Sequence, residues 1–199
     1  MLTLQTVLML TADIAVIVGV AYLLVRSLHL REMRQKTPSP KKQLILLVVF
    51  GALAVFGTYA GVEVGGAITN VRDLSPMIAG LIGGPVVGLG AGLIGGIHRY
   101  MLGGFTALPC STATILAGLF GGLIYHMSRG RFVGVFAAVA FAALMEVFHM
   151  GLILLLAEPY SRALTLVSII SVPMILFNFL GMLIFALLFV RWERGNEAL

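Results

Sequence analysis

Two arginines stand inside some of the most apolar sequence of this chain, at Arg72 and Arg99. A guanidinium is a planar, permanently charged fork that matches the oxygens of a carboxylate or a phosphate. Charged groups are costly in hydrocarbon, so an arginine in such surroundings suggests a binding site. The alternative is that each arginine reaches the lipid headgroups, or pairs with Asp73 or Glu63. Because two arginines accompany a cluster of hydroxyls, we favour anion binding.

That cluster places a thiol and three hydroxyls in one segment, at Cys110, Ser111, Thr112 and Thr114. Pro109 predicts that a helix begins here, because proline is favoured at the first helical position. The unpaired N–H groups of a helix start carry partial positive charge and attract anions. The segment is therefore the second component of the predicted anion site. Two other roles stay open: a hydroxyl that only caps the helix, and a cysteine that only fills the core.

Other polar residues give weaker signals. His98 either orients Arg99 or lies at the membrane interface, as aromatic side chains do. Glu146 and His149 share one helix face at a spacing that also occurs in metal sites of helical bundles. Such sites use two copies and further carboxylates, so we favour an interhelical hydrogen bond and predict no metal. The sequence contains no nucleotide-binding loop, catalytic triad or paired carboxylates, and we predict neither a catalytic site nor a cofactor.

The composition is that of a helical membrane protein. Of 199 residues, 60% are hydrophobic and 11% are charged, whereas a soluble domain carries about a quarter charged residues. Several apolar runs reach the roughly 20 residues that span a bilayer, and their continuous apolarity excludes a barrel. The net charge of +5 comes mainly from basic residues between or after these runs. That placement is a topology signal and argues against a nucleic-acid partner.

Six apolar segments are predicted as helices, but six spans conflict with the charges. The segments are approximately 4–25, 44–64, 74–97, 109–127, 132–156 and 164–190. The linker 26–42 holds six Lys/Arg and should be cytoplasmic, which leaves the N-terminus outside. Six spans would then place the basic residues after the fourth and sixth segments outside as well.

The conflict disappears if segment 74–97 folds back at Gly83-Gly84-Pro85, where glycine and proline break the helix. Ten of the 13 Lys/Arg then face inside, and only Arg72, Arg99 and Arg162 face outside. A straight segment would hold Arg72 and Arg99 about 40 Å apart. We therefore predict an all-α membrane bundle of five spans plus a re-entrant hairpin, with six spans as the alternative. The glycines four apart in this segment also suit close helix packing, which is compatible with a hairpin.

Four motifs carry a resemblance to a known family. The chain resembles the LytS/YhcK-type five-transmembrane receptor module, most densely from residue 57 to residue 125. The matching motifs are Asn70-Val71-Arg72, Gly83–Gly88, Gly95–Tyr100 and Gly103–Ser111. In that family the module is the sensor input of bacterial histidine kinases or of diguanylate cyclases, and several kinase members respond to extracellular pyruvate.

The resemblance implies a ligand and roles for the site residues. Arg72 and Arg99 would hold the carboxylate, Cys110 and neighbouring hydroxyls would lie near the keto group, and Asn70 belongs to the same motif. One position departs from the family. The kinase branch has Cys-x-x-Ser-Thr, whereas Ala113 here removes one hydroxyl. A different ligand or affinity is then expected unless Ser111 or Thr112 compensates.

The resemblance also sets the expected organisation. Residues 1–199 would form one sensor domain of the bacterial inner membrane, with its ligand-site segment at 66–114 and a cytoplasmic connector starting at 191–199. The output domain would lie outside this sequence, so we expect a truncated or partner-dependent protein. The implied partners are a kinase or cyclase output domain, a response regulator and a second copy in a homodimer. A fold-level similarity to substrate-binding subunits of energy-coupling-factor transporters leaves a transport subunit as the alternative.

Overall fold

The computed structural model describes residues 4–28 and 39–197, and these ranges form six α-helices and one short β-hairpin. The helical membrane bundle predicted from the sequence is therefore confirmed. The elements are α1 (Leu4–Ser27), α2 (Pro40–Tyr59), β1 (Val62–Val64), β2 (Ala67–Thr69), α3 (Leu74–Met101), α4 (Ala107–Met127), α5 (Val135–Leu156) and α6 (Tyr160–Glu197).

The β-hairpin replaces the predicted end of the second helix. That helix was expected to reach Val64, but α2 ends at Tyr59 and strands β1 and β2 follow as an antiparallel pair. Gly65 and Gly66 form the turn with φ angles of 60° and 80°, which side chains other than glycine rarely tolerate. The flanking Val, Ile and Thr residues favour strands. The predicted segment 44–64 rests on hydrophobicity alone, and hydrophobicity does not distinguish strand residues from helical ones.

Helix α3 is interrupted at Gly84, where φ is 82° and ψ is −173°. Pro85 follows and cannot donate a backbone hydrogen bond, so the helix breaks where the sequence predicted. The two halves then lie side by side: a Cβ placed on Gly88 would be only 2.7 Å from Cα of Gly80. Eight residues of straight helix would separate these positions by about 12 Å. The chain therefore folds back on itself.

Both halves pack against α4 in opposite directions. In the first half, a Cβ on Gly121 of α4 would lie 2.8 Å from the Met77 carbonyl oxygen. In the second half, a Cβ on Gly92 would lie 2.9 Å from the Thr114 carbonyl oxygen. Such close approach of backbones depends on small residues, as in other membrane helices. The predicted packing role of the glycines and the fold-back are thus both present.

Arg162, at the start of α6, links the two ends of α3. Its guanidinium donates to the Gly65 carbonyl oxygen at 3.4 Å, in the hairpin that precedes α3. The same group lies 4.1 Å from the ring centroid of Phe105, in the loop that follows α3. A straight helix of 28 residues would hold its ends about 42 Å apart. The ends of α3 are therefore at the same end of the bundle.

By length and composition, six helices could cross a membrane, α3 among them. That count fits the six-span alternative. The path of α3, with both ends at one end of the bundle, is the geometry that the five-span arrangement requires. We retain the re-entrant hairpin as a proposal and give its labelling test in the Discussion.

Two features concern the cytoplasmic side of the predicted topology. Of the basic linker 26–42, residues 29–38 lie outside the described ranges. Arg26 lies in the last turn of α1, and Lys41 and Lys42 lie in the first turn of α2. At the other end of the chain, α6 continues as one helix from Tyr160 through the predicted connector start at Arg191. The last helix is thus longer than the apolar run alone indicated.

Candidate anion site

Arg72 is held in place by polar groups of α2, of α4 and of the loop between β2 and α3. Its backbone N–H donates to Oδ1 of Asn70 at 3.1 Å. Its Nε donates to Oγ1 of Thr114 on α4 at 2.8 Å and to Oδ1 of Asp73 at 3.3 Å, and its Nη1 donates to Oγ1 of Thr58 on α2 at 3.3 Å. The side chain is 1% exposed. Its charge is therefore buried, oriented and offset by one carboxylate.

Arg99 is equally buried, at 2% exposure, but it is paired differently. Its Nη1 donates to the Gly103 carbonyl oxygen at 2.7 Å and its Nη2 to Oγ1 of Thr106 at 3.0 Å. Its Nε has no hydrogen-bond partner. Within the ranges 4–28 and 39–197, no carboxylate lies within ion-pair distance of this guanidinium. A buried cation without a counter-ion is costly unless an anion binds to it.

Helix α4 begins earlier than predicted, and this changes the roles of its first residues. It starts at Ala107 with Thr106 as N-cap residue, not at Pro109, and no side chain caps it. The Thr106 hydroxyl instead accepts from Arg99. Ser111 therefore lies in the second turn, as does Thr112, and the alternative in which one of them caps the helix start is wrong.

The thiol and hydroxyls of α4 separate into two groups. Cys110 is free and buried, and it interacts with Arg99 and His149. Ser111 is also buried, and its Oγ has no hydrogen-bond partner. Thr112 is only half-buried, and the one hydrogen bond of its hydroxyl goes to the Leu108 carbonyl oxygen of its own helix at 2.9 Å. Cys110, Ser111 and Thr114 thus face the buried interior, and Thr112 does not.

Two predicted site residues remain, and only one of them, Asn70, belongs to the buried site; the other, His98, does not. Asn70 is buried and shapes the site through the backbone of Arg72, with its own Nδ2 donating to the Ile68 carbonyl oxygen at 3.1 Å. His98 is half-buried and points toward α2, where its Nε2 lies 3.2 Å from the Tyr59 hydroxyl. In this structure the imidazole is engaged by Tyr59.

Three further residues belong to the polar cluster although the sequence prediction did not place them in the site. Nδ1 of His149 lies 3.1 Å from Oδ2 of Asp73 and 3.5 Å from Oε2 of Glu146. The pair thus approaches Asp73 in the loop before α3, but Nδ1 of His149 and Oδ2 of Asp73 make no hydrogen bond. The interhelical hydrogen bond expected for Glu146 and His149 is therefore not formed. The signals available in the sequence were the adjacency of Asp73 to Arg72 and the Glu-x-x-His spacing. Neither signal shows that α5 reaches the start of α3.

Asp73, just before α3, is the shared residue of this cluster. Its Oδ1 accepts from Arg72 and lies 2.6 Å from the Thr114 hydroxyl, which donates to it. Burial raises the pKa of this carboxyl, but Arg72, His149 and Thr114 outweigh burial and lower the pKa to about 2. Asp73 is therefore ionised at any physiological pH and serves as the fixed negative charge beside Arg72.

Comparisons with known proteins agree with the resemblance in the motifs. The model of the family described as 5TMR of 5TMR-LYT matches residues 9–191. No solved structure matches the chain. The sensor histidine kinase BtsS of Escherichia coli is 38% identical over 186 residues, which cover 90% of this chain and 33% of that protein. The sensor protein LytS of Bacillus subtilis is 36% identical over 195 residues, covering 89% of this chain and 33% of that protein.

A third relative, the sensor histidine kinase YpdA of Escherichia coli, is 38% identical over 162 residues, 78% of this chain and 28% of that protein. The chain thus spans about a third of the length of the curated relatives that it matches. The family match covers almost the whole chain and includes both arginines, the fold-back and the start of α4. The chain belongs to the LytS-type five-transmembrane receptor family, the membrane input modules of sensor histidine kinases.

Proposed function

We propose that this input module binds a small carboxylate, such as pyruvate, that enters from outside the cell. The observation that carries the proposal is the pair of buried arginines, of which Arg99 lacks any carboxylate partner in the described part of the chain. Its Nε and the Ser111 hydroxyl are both buried without a partner. A carboxylate that carries a further polar oxygen could accept hydrogen bonds from both groups, Nε of Arg99 and the hydroxyl of Ser111.

The proposed roles follow from the contacts that each group already makes. Arg99 supplies the uncompensated charge, and Arg72 supplies a fork held rigid by Thr114 and Thr58. Cys110 lies near Arg99 and His149, where it can contact the keto oxygen of a 2-oxo acid. The buried Ser111 hydroxyl compensates for the one removed by Ala113. Preorganised donors of this kind lower the cost of ordering the site when the ligand binds.

The size of such a ligand limits its affinity. Pyruvate has about six heavy atoms, and a ceiling near 1.5 kcal/mol per atom gives about 9 kcal/mol at best. That corresponds to a dissociation constant of about a micromolar or weaker. A receptor for a metabolite can work in this range. A nanomolar affinity would instead favour the alternative of a transport subunit.

Thermal unfolding of the purified protein with a panel of small carboxylates tests the binding proposal. We expect pyruvate to raise the unfolding temperature of the wild type, and this rise to be lost in Arg72→Ala and in Arg99→Ala. Arg131→Ala is the matched control, because Arg131 is an exposed arginine beyond the far end of α4. If both site variants respond to pyruvate as the control does, the assigned site is wrong.

A second pair of variants tests the role of the hydroxyls. Ser111→Ala should weaken the pyruvate response, whereas Thr112→Ala should leave it unchanged, because the Thr112 hydroxyl serves its own helix. Equal responses from the two variants would remove Ser111 from the site. A response lost in Thr112→Ala alone would overturn the orientation of α4.

We further propose that the ligand signal passes from α4 through α5 to α6. A buried apolar cluster joins the three helices at the level of the site and includes Cys110, Met150, Ile153, Leu166 and Ile170. A movement of Cys110 on ligand binding would therefore displace the side chains of α6, the helix that continues to the predicted connector. Spin labels at Met127 and Arg191, both exposed, should report a distance change when pyruvate binds to the full-length protein. An unchanged distance at saturating pyruvate would refute this route.

A further inference from the structure

Two carboxylates and one imidazole form a buried cluster beside the proposed ligand site. Asp73 precedes α3, while Glu146 and His149 lie one turn apart on α5. One ligand atom from each residue can be chosen so that all lie within 4.8 Å of one another. The three side chains are 2%, 0% and 1% exposed. None of them is needed to contact the carboxylate ligand.

Three carboxylate oxygens of this cluster, Oδ2 of Asp73 and both of Glu146, have no hydrogen-bond partner among the surrounding residues. Both carboxylate oxygens of Glu146 are buried without a hydrogen-bond partner. Nδ1 of His149 faces Asp73 at 3.1 Å and Glu146 at 3.5 Å, and one N–H can serve only one of them well. Burying two neighbouring carboxylates in this way costs free energy unless a positive charge lies between them.

We propose that Asp73, Glu146 and His149 bind a divalent transition-metal ion. The ligand types select the class of ion, because imidazole nitrogen with carboxylate oxygen suits zinc and its neighbours, whereas calcium and magnesium take oxygen ligands only. The spacing agrees as well. Metal–ligand bonds of 2.0–2.2 Å in a tetrahedral site separate the ligand atoms by roughly 3.3–3.6 Å, close to the two separations from Nδ1 of His149.

The surroundings of Asp73 support the same assignment. Its Oδ1 is occupied by Arg72 and Thr114, so Oδ2 is left to face the cluster. Hydrogen bonds that fix the outer oxygen of a ligating carboxylate are the usual second layer of a metal site. Arg72 therefore donates to Oδ1, the oxygen that faces away from the ion, and so orients Oδ2 of Asp73 toward the ion. Thr114→Val should accordingly weaken metal binding by roughly 10- to 100-fold.

The test uses purified protein with an affinity tag that contains no histidine. After treatment with a chelator and dialysis, zinc should raise the unfolding temperature, and one equivalent of zinc should remain bound after gel filtration. Glu146→Gln/His149→Gln should lose both effects. Glu63→Gln/His126→Gln is the matched control, because it removes one carboxylate and one imidazole that are both exposed. Zinc binding that persists in the first variant at control strength would overturn the site.

Two measurements keep the proposal falsifiable if the first variant does not fold. Cobalt added to the wild type should give visible absorption bands that zinc abolishes by competition, and their absence would refute a metal site. Arg99→Ala separates this site from the carboxylate site, since it should lose the pyruvate response and retain zinc binding. If neither zinc, manganese nor cobalt binds the wild type, the cluster is an imidazole bridging two carboxylates.

Discussion

Gly88→Ala is the sharpest test of the fold-back in α3. An alanine Cβ at this position would lie 2.7 Å from Cα of Gly80 and closer still to the carbonyl oxygen of Gly118 on α4. Both neighbours are backbone atoms, so no side-chain rotation can relieve the contact. The first half of α3, its second half and α4 must then move apart to admit a single methyl group. A straight α3 would not bring Gly80 and Gly88 together.

The expected magnitude comes from comparison with Gly151→Ala on α5. Gly151 has no atom within 4 Å of the added Cβ, so alanine there gives only the helix-propensity gain of up to about 1 kcal/mol. Gly88→Ala gains the same propensity but overpacks a tight contact, which costs about 1–3 kcal/mol. The propensity term cancels in the difference. At about 2–4 °C per kcal/mol for a chain of this size, the two variants should differ by roughly 2–12 °C.

The difference in unfolding temperature can be measured in detergent without a ligand. Samples are heated to a series of temperatures, and the folded fraction that remains is quantified by size-exclusion chromatography. We expect Gly151→Ala to unfold at or above the wild-type temperature and Gly88→Ala to unfold clearly below Gly151→Ala. If both variants unfold at the same temperature, the backbones at Gly80, Gly88 and Gly118 are not in contact. In that case the side-by-side arrangement of the α3 halves is wrong.

Two further predictions concern topology and the hydrogen bonds that hold Arg72. With the native cysteine replaced, single cysteines at Glu63 and Leu102, which flank α3, should both react with an impermeant thiol reagent added outside intact cells. One at Met127 should react only after permeabilisation, and labelling of Glu63 and Leu102 from opposite sides would refute the hairpin. Thr114→Val should cost about 1.5–3 kcal/mol of stability, because its hydroxyl bonds to charged groups. Thr112→Val is the control, and an equal unfolding temperature for both would contradict this role of Thr114.

Most of the site-forming architecture could be predicted from the sequence because its signals are local. Gly83-Gly84-Pro85 breaks a helix wherever it occurs, and the break lies at Gly84. Charge bias between apolar runs favoured a return of α3 to the side from which it started. A helix that breaks at Gly84 and returns to its starting side places Arg72 and Arg99 at one end of the bundle, where both are buried.

The remainder depends on contacts between helices that the sequence pattern does not reveal. His149 is 76 positions from Asp73 along the chain. No sequence pattern around either residue predicts that Nδ1 of His149 lies 3.1 Å from Oδ2 of Asp73. The start of α4 was placed at Pro109 because proline favours a first turn, yet the helix begins at Ala107. There the Thr106 hydroxyl accepts from Arg99, so a contact with α3 uses the group that an N-cap residue ordinarily offers to its own helix.

The two arginines contribute differently to the proposed site, and the cause lies in their neighbours. Arg72 already has Asp73 beside it, so it offers a bound anion little net positive charge and mainly a fork of fixed orientation. Arg99 has only neutral acceptors among the described residues, Gly103 and Thr106, so it supplies the attraction for an anion. Asp73 also lies 3.1 Å from His149, so in the proposed site a shift of Arg72 toward a ligand would reach α5 through one carboxylate. In the proposed mechanism, Asp73 would therefore both lower the anion affinity of Arg72 and be the residue through which α5 responds to the ligand.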